Sequence, residues 1–375
     1  MKGNIDKLDF LRGIAILLVF GYHSLLVIFE GFEIKHYGSF LLSDEYTLGQ
    51  ILLNLTPVGM GFLGVQLFLI LSGFLIHLGY LKAGQRIEYL RFYNKRVWRI
   101  YPAYLLALVL FAITVGHNGP LDLFSHLGLF HTLIESSVYS INPSFWSLAL
   151  EMQLYLLYPL YLVLRQKLGL NKSVLAVAVV SITLLALGSA LGWNKSYVYH
   201  KLVFSQWIVW VLGAYLAERY SQGERLYTAH PIWFAVALLV LLPLRLTVVF
   251  DAFSKIFYSL YFVYLIDWCL HTNFKVRPFW EKIGKVVNLI GLCSYSIYLF
   301  HQPFLKAFIH FFSPSGSKSY LFVGSALSFL MFFALSYVCY RVVELRFIKI
   351  GNQLYSLVTK GSKKEEAAKE PVLSR

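Results

Sequence analysis

Charge is scarce in this sequence. Charged residues make up 14% of its 375 positions, against roughly 25% in an average soluble protein. Acidic side chains are the scarcer sign, 19 against 33 basic ones. In water, a chain with 58% hydrophobic residues and so little charge would expose large apolar patches, so lipid is its natural solvent. Cysteine is rare too. Cys269, Cys293 and Cys339 are odd in number and lie in apolar stretches, which excludes a readable disulfide framework or zinc spacing. Nucleotide loops, metal-ligand spacings and nucleophile elbows are missing, so metal catalysis has no support. No small-residue cleavage site follows Lys2, Lys7 and the first apolar run, which therefore reads as an uncleaved span.

The most abundant feature is apolar runs of roughly 17–25 residues, long enough to cross a bilayer. They fall at about 8–29, 58–80, 100–117, 146–164, 173–192, 202–218, 231–249, 254–272, 286–311 and 320–341. The expected fold is all-α and polytopic, with about ten transmembrane helices. The net charge of +14 could suggest nucleic acid, but in membrane proteins basic residues mark cytoplasmic loops and attract anionic lipid or substrate. With the N-terminus in the cytoplasm, Lys82, Arg86, Arg91, Lys95, Arg96 and Arg99 share one inside loop. Only Lys35, Lys195, Lys201, Arg245, Lys255, Lys306 and Lys318 fall on the other side, leaving 26 of 33 inside. Both termini are then cytoplasmic. The loops at 30–57 and 118–145, with few basic residues, fall outside. A membrane core at 1–349 and a disordered cytoplasmic tail at 350–375 complete the expected organisation.

Ionisable residues inside such spans are costly and usually face a cavity or a partner. Arg12 and His23 lie eleven residues apart in the first span, close to three turns, so they share a face about 16 Å apart along the axis. Arg12 could also be a snorkelling helix-end arginine, and His23 a structural hydrogen-bonder. Glu151, in SFWSLALEMQLYLLYP, is expected at the depth of His23. A carboxylate there would orient the imidazole as a general base; the alternative is a separate interhelical bond. His301, in CSYSIYLFHQPF, is a candidate pocket residue with Trp146, although Pro303 could demand a polar partner of its own. Arg96 and Arg99 could clamp phosphates, or simply set topology and touch lipid headgroups. Ser72 and Gly73 read as small residues that admit a helix or a ligand. Gly59, Gly61 and Gly64 match GxGxxG but open a span, so helix packing is the reading, not a dinucleotide site.

Five motifs together resemble the acyltransferase-3 family: LDFLRGIAILLVFGYHS, GVQLFLILSGFLI, FYNKRVWRIYPAY, SFWSLALEMQLYLLYP and SYSIYLFHQPF, in that order over roughly residues 6–349. The resemblance implies an integral-membrane O-acyltransferase of the bacterial cytoplasmic (inner) membrane. Such enzymes move an acyl group, usually acetyl, from cytoplasmic acyl-CoA to a hydroxyl of a surface polysaccharide or a lipid-linked precursor. Acetyl-CoA would be the donor substrate, with no permanently bound cofactor. The partners would be the glycan acceptor and the bilayer, with no nucleic acid. By motif match, Arg12 and His23 correspond to the family's essential pair, and Arg96 and Arg99 to its donor-associated arginines. Glu151 matches the acidic position of the tryptophan-serine motif, and Ser72 is grouped with the donor site. Many relatives carry a further soluble domain, for which this chain is expected to be too short. A glycan transporter or flippase, also polytopic with buried ionisable residues, is the alternative.

Overall fold

The computed structural model describes residues 2–29, 47–193, 196–228, 232–241, 248–272, 277–313 and 316–369. Every regular element among them is helical. The order is α1 (Lys2–Ile28), α2 (Leu48–Asn54), α3 (Gly64–Lys82), α4 (Tyr89–Thr114), α5 (Pro120–Leu127), α6 (Trp146–Leu168), α7 (Leu170–Ala190) and α8 (Tyr197–Lys201). Then come α9 (Val203–Ser221), α10 (Ile232–Leu241), α11 (Val248–His271), α12 (Pro278–Leu292), α13 (Ser294–Phe311), α14 (Lys318–Cys339) and α15 (Leu345–Lys369). A π-bulge at Tyr340–Glu344 joins the last two.

Six of the described helical stretches are long and apolar enough to cross a membrane, and a seventh forms if α12 and α13, bent by 72°, make one span. This multi-pass count is lower than the ten apolar windows. The window at 231–249 reaches residues outside the described set, as do 30–46 of the expected outer loop, and the window at 254–272 falls on α11, whose Ile256–His271 is a shorter apolar helix. The window at 202–218 coincides with α9, a helix walled in by its neighbours, with Gln206 and Glu218 buried. A helix enclosed by protein can hold polar groups that a lipid-facing helix cannot.

Close backbone approach fixes that centre. A Cβ on Gly73 of α3 would stand 2.1 Å from the Trp210 carbonyl oxygen, and one on Gly213 of α9 2.1 Å from that of Ile70. Only glycine permits this crossing. Gly61 likewise abuts the Leu18 carbonyl of α1, the packing role expected for that glycine run. A buried network pins α3, α6 and α9 at one end. His77 Nε2 lies 2.8 Å from Glu218 Oε1 and Nδ1 lies 3.0 Å from the Tyr158 hydroxyl, while Arg165 also bonds Glu218.

The segment between α4 and α6 is folded. Asp122 accepts from the Asn118 amide (2.8 Å) and the Ser140 hydroxyl (2.7 Å), and the His126 and His131 rings stack 4.0 Å apart. Burial works against the Asp122 carboxylate, but the donors from Asn118, Ser140 and Ser137 hold it below the usual carboxylate range. Burial, and then His126, push His131 down to about 3. At the other end of the chain, α15 carries helical backbone to Lys369, into the segment expected as a tail. Its KKEEAAK run is made of good helix formers.

Candidate active site

Helix α4 shows how one segment builds a charged wall. Its Asn94 donates to the Gly351 carbonyl at 3.0 Å, and Trp98 stacks on Phe347, so one face is committed to α15. Arg96, Arg99 and Ile100 then line a cavity of about 400 Å³ with Arg12 of α1, Ser72 of α3, Glu151 and Tyr155 of α6, and Tyr295 and Tyr298 of α13. Arg12 is paired with Asp9, one turn earlier, at 2.9 Å. The Arg96 guanidinium lies over the Phe92 and Tyr155 rings, 5.2 and 5.7 Å from their centroids, and its buried Nε bonds nothing among the described residues. A buried N–H donor without a partner is costly, and a ligand acceptor would satisfy it. Arg99 is exposed and forms no ion pair among the described residues. Glu151 accepts from Ser72 Oγ at 3.0 Å and from the Tyr155 hydroxyl.

A second cavity, of about 320 Å³, is lined by His23, Leu26 and Val27 of α1, Val115, Ile141 and Pro143, and Gln302, Pro303, Leu305 and Lys306 of α13. Pro303 lacks an N–H, which frees the Leu299 carbonyl four residues earlier. Asn142 donates to that carbonyl at 2.8 Å, while its own oxygen accepts from the Ser144 amide. Ser144 Oγ also donates to Gln302 at 2.5 Å. The loop is thereby clamped to α13, and Ile141 sits at φ +46°, a strained position for a β-branched residue.

Between the cavities stand Tyr298 and His301. The Tyr298 hydroxyl accepts from Ser147 Oγ at 2.7 Å, and both residues line the arginine cavity. His301 is fully enclosed, and its Nε2 lies 2.8 Å from His23 Nδ1. Its Nδ1 lies 3.0 and 3.1 Å from the Tyr298 and Ile297 carbonyl oxygens.

The sequence-selected residues therefore divide between two places. Arg12, Ser72, Arg96, Arg99 and Glu151 share the first cavity, and His23 lines the second. The expected His23–Glu151 pair is not formed. Shared depth says nothing of rotation: Glu151 bonds α3 and its own helix, whereas His23 turns to α13. His301 does not serve the carbonyl freed by Pro303, because Asn142 does. Trp146 lines neither cavity; the Lys201 ammonium lies 3.5 Å from its ring centroid. Sequence reasoning missed Asp9, Tyr155, Ser147 and Tyr298. The first two were legible as a one-turn neighbour of Arg12 and a one-turn neighbour of Glu151. Buried Glu344, bonded by Ser296 at the π-bulge, was also missed. No cluster of three metal-ligating side chains occurs among the described residues.

Residues 5–341 match the model of the acyltransferase-3 family, described as an acyltransferase domain. The chain is 26% identical to the "Putative peptidoglycan O-acetyltransferase YrhL" of Bacillus subtilis (strain 168), over 80% of this chain and 48% of that protein. It spans about half the length of this curated relative. No solved structure matches the chain.

Proposed function

The chain belongs to the acyltransferase-3 family, and from that premise we propose that it is a membrane O-acyltransferase carrying acetyl groups from acetyl-CoA to glycan hydroxyls. The observation that supports this most is the placing of a cationic cavity and an imidazole cavity along one helix. Tyr295 and Tyr298 of α13 line the first, and Gln302 and Lys306 line the second. The donor's phosphates bind Arg96 and exposed Arg99, whose guanidinium forks suit phosphate oxygens. The pantetheine arm occupies the cavity past Glu151 and Ser72 and carries the thioester beyond Ser147 and Tyr298 to the side of His23. The volume lies within the roughly 300–1,000 Å³ of small-molecule sites. The acceptor hydroxyl enters beside His23.

His23 takes the hydroxyl proton as the oxygen attacks the thioester carbonyl. The new C–O bond forms, the C–S bond breaks, and the departing thiolate takes up the proton. The acceptor is a surface glycan or its lipid-linked precursor, in keeping with the peptidoglycan O-acetyltransferase name of the relative. The arginine cavity faces the cytoplasm of a bacterial inner membrane and the histidine cavity faces outward, following the basic residues.

Glycan mass spectrometry of cells with and without this protein tests the reading; one extra acyl group per modified sugar is expected. Purified protein should consume acetyl-CoA without any ion gradient, which a carrier would not do. The absence of both acyl gain and acetyl-CoA consumption would overturn the proposal. Single cysteines placed in the 82–99 segment should react with an impermeant reagent only after the membrane is opened. Reaction in sealed cells would reverse the orientation.

A further inference from the structure

The contact between two imidazoles defines which nitrogen of His23 is free. Carbonyl oxygens only accept hydrogen bonds, and two of them, Ile297 and Tyr298, lie at 3.1 and 3.0 Å from His301 Nδ1. That nitrogen therefore carries a hydrogen. A neutral imidazole has a single N–H, so His301 Nε2 is an acceptor. A doubly protonated ring would be an enclosed charge without a counter-ion, since no acidic side chain bonds either ring among the described residues. The 2.8 Å contact then requires the hydrogen on His23 Nδ1. The remaining nitrogen, His23 Nε2, holds the lone pair.

We propose that His301 is a positioning residue for the acyl transfer, locking His23 in the Nδ1–H tautomer with Nε2 as the base in the histidine cavity. Its role in transfer rests on the acyltransferase reading above; the tautomer does not. The backbone of α13 thus orients the base through a chain of two rings: carbonyl, His301, His23. This differs from a base held by a carboxylate. A carboxylate in the place of His301 would set a fixed charge in a fully enclosed position beside the Phe20 and Tyr298 rings, where an ion is expensive. The paired imidazoles carry no charge at rest. When Nε2 accepts the acceptor's proton, the Nδ1–H bond to His301 becomes charge-assisted. The proton between the rings can then move onto His301 Nε2, whose Nδ1–H still donates to the two carbonyls. The charge is shared and no further proton leaves. This also gives His301 a use beyond the gap at Pro303, which Asn142 already fills.

Two measurements test the inference. In the first, protein carrying 15N-labelled histidine is reconstituted in lipid, and the His23 signals are assigned as those lost in His23→Gln. An Nδ1–H with a lone-pair-bearing Nε2 is expected, and the opposite tautomer overturns the proposal whatever the enzyme's substrate. In the second, acetyl transfer is followed in His301 variants. His301→Leu should lower kcat about 10²-fold or more with KM for acetyl-CoA little changed. His301→Gln keeps an acceptor oxygen and an amide N–H and should recover part of the loss. His301→Glu should move the acid limb of kcat/KM to higher pH, because a carboxylate favours the imidazolium of His23. Wild-type kcat and an unmoved acid limb in the Leu and Glu variants would overturn the positioning role. Wild-type protein with the expected tautomer and no transfer would instead sink the acyltransferase reading alone.

Discussion

The two cavities share α1 and α13 but solve opposite problems. The arginine cavity is dense in charge, with Arg12 held by Asp9, Glu151 held by Ser72 and Tyr155, and Arg96 and Arg99 left for a ligand. The histidine cavity is walled by Leu26, Val27, Val115, Ile141 and Leu305, with one imidazole and one ammonium. The first can bind a multiply charged donor tightly. The second cannot, but a neutral base loses no strength there to a hydration shell. The proposed function gives donor affinity and proton transfer to different residues, and substitutions should separate them.

The largest effect is expected at His23. His23→Ala should lower transfer by about 10²–10⁴-fold, while acetyl-CoA affinity, measured by calorimetry on purified protein, stays near wild type. Full activity in a well-folded His23→Ala protein would break the division at once. Labelled acetyl-CoA supplied without acceptor refines the route: label retained on His23 would show an acyl-histidine intermediate.

Next in size are the arginines. Arg96→Ala or Arg99→Ala should weaken acetyl-CoA binding by about 1.5–3 kcal/mol, the worth of one charge-assisted bond. Lysine should rescue only in part because the two-pronged contact is lost. Unchanged donor affinity in the double alanine protein would return both residues to setting topology.

Glu151→Gln gives the sharpest comparison at a smaller amplitude. The amide can keep the bonds to Ser72 and Tyr155 and removes only the charge, so donor affinity should change by a few-fold. The acid limb of kcat/KM should not move, since the partner of His23 is His301. A moved limb would mean that the cavities communicate electrostatically.

Stability, rather than transfer, is the readout for the loop that walls the histidine cavity. His131, stacked on His126, has its pKa pushed down to about 3 by burial and then by His126. The folded protein therefore binds fewer protons than the unfolded one between that value and the ordinary histidine pKa of about 6.5. Stability is full above about 6.5 and falls as the pH drops through this window, by up to ~1.4 kcal/mol per pH unit for one proton. His131→Phe should flatten the dependence of Tm on pH over that range. An unaltered slope would show that His131 does not report on the loop.

Much of this protein was legible one residue at a time. Scarce charge and long apolar runs require a helical membrane protein, because a lipid-exposed backbone must bond within its own segment. The cost of an ion in hydrocarbon was enough to single out Arg12, His23 and Glu151, and a one-turn spacing put Arg96 and Arg99 on one wall. Helical periodicity gives depth along each span, and depth alone grouped His23 with Glu151. What joined His23 to His301, and Glu151 to Ser72, was the rotation of α1, α6 and α13 about their own axes. That rotation is fixed by packing between segments far apart in the chain: Gly61 against Leu18 of α1, Asn142 in the gap left by Pro303 of α13, and, beneath them, Gly73 against Trp210 in the α3–α9 crossing. These contacts lie up to 157 residues apart and leave no periodic trace. The membrane character and the candidate site side chains belong to the sequence, whereas the division into an arginine cavity and a histidine cavity was decided by tertiary packing.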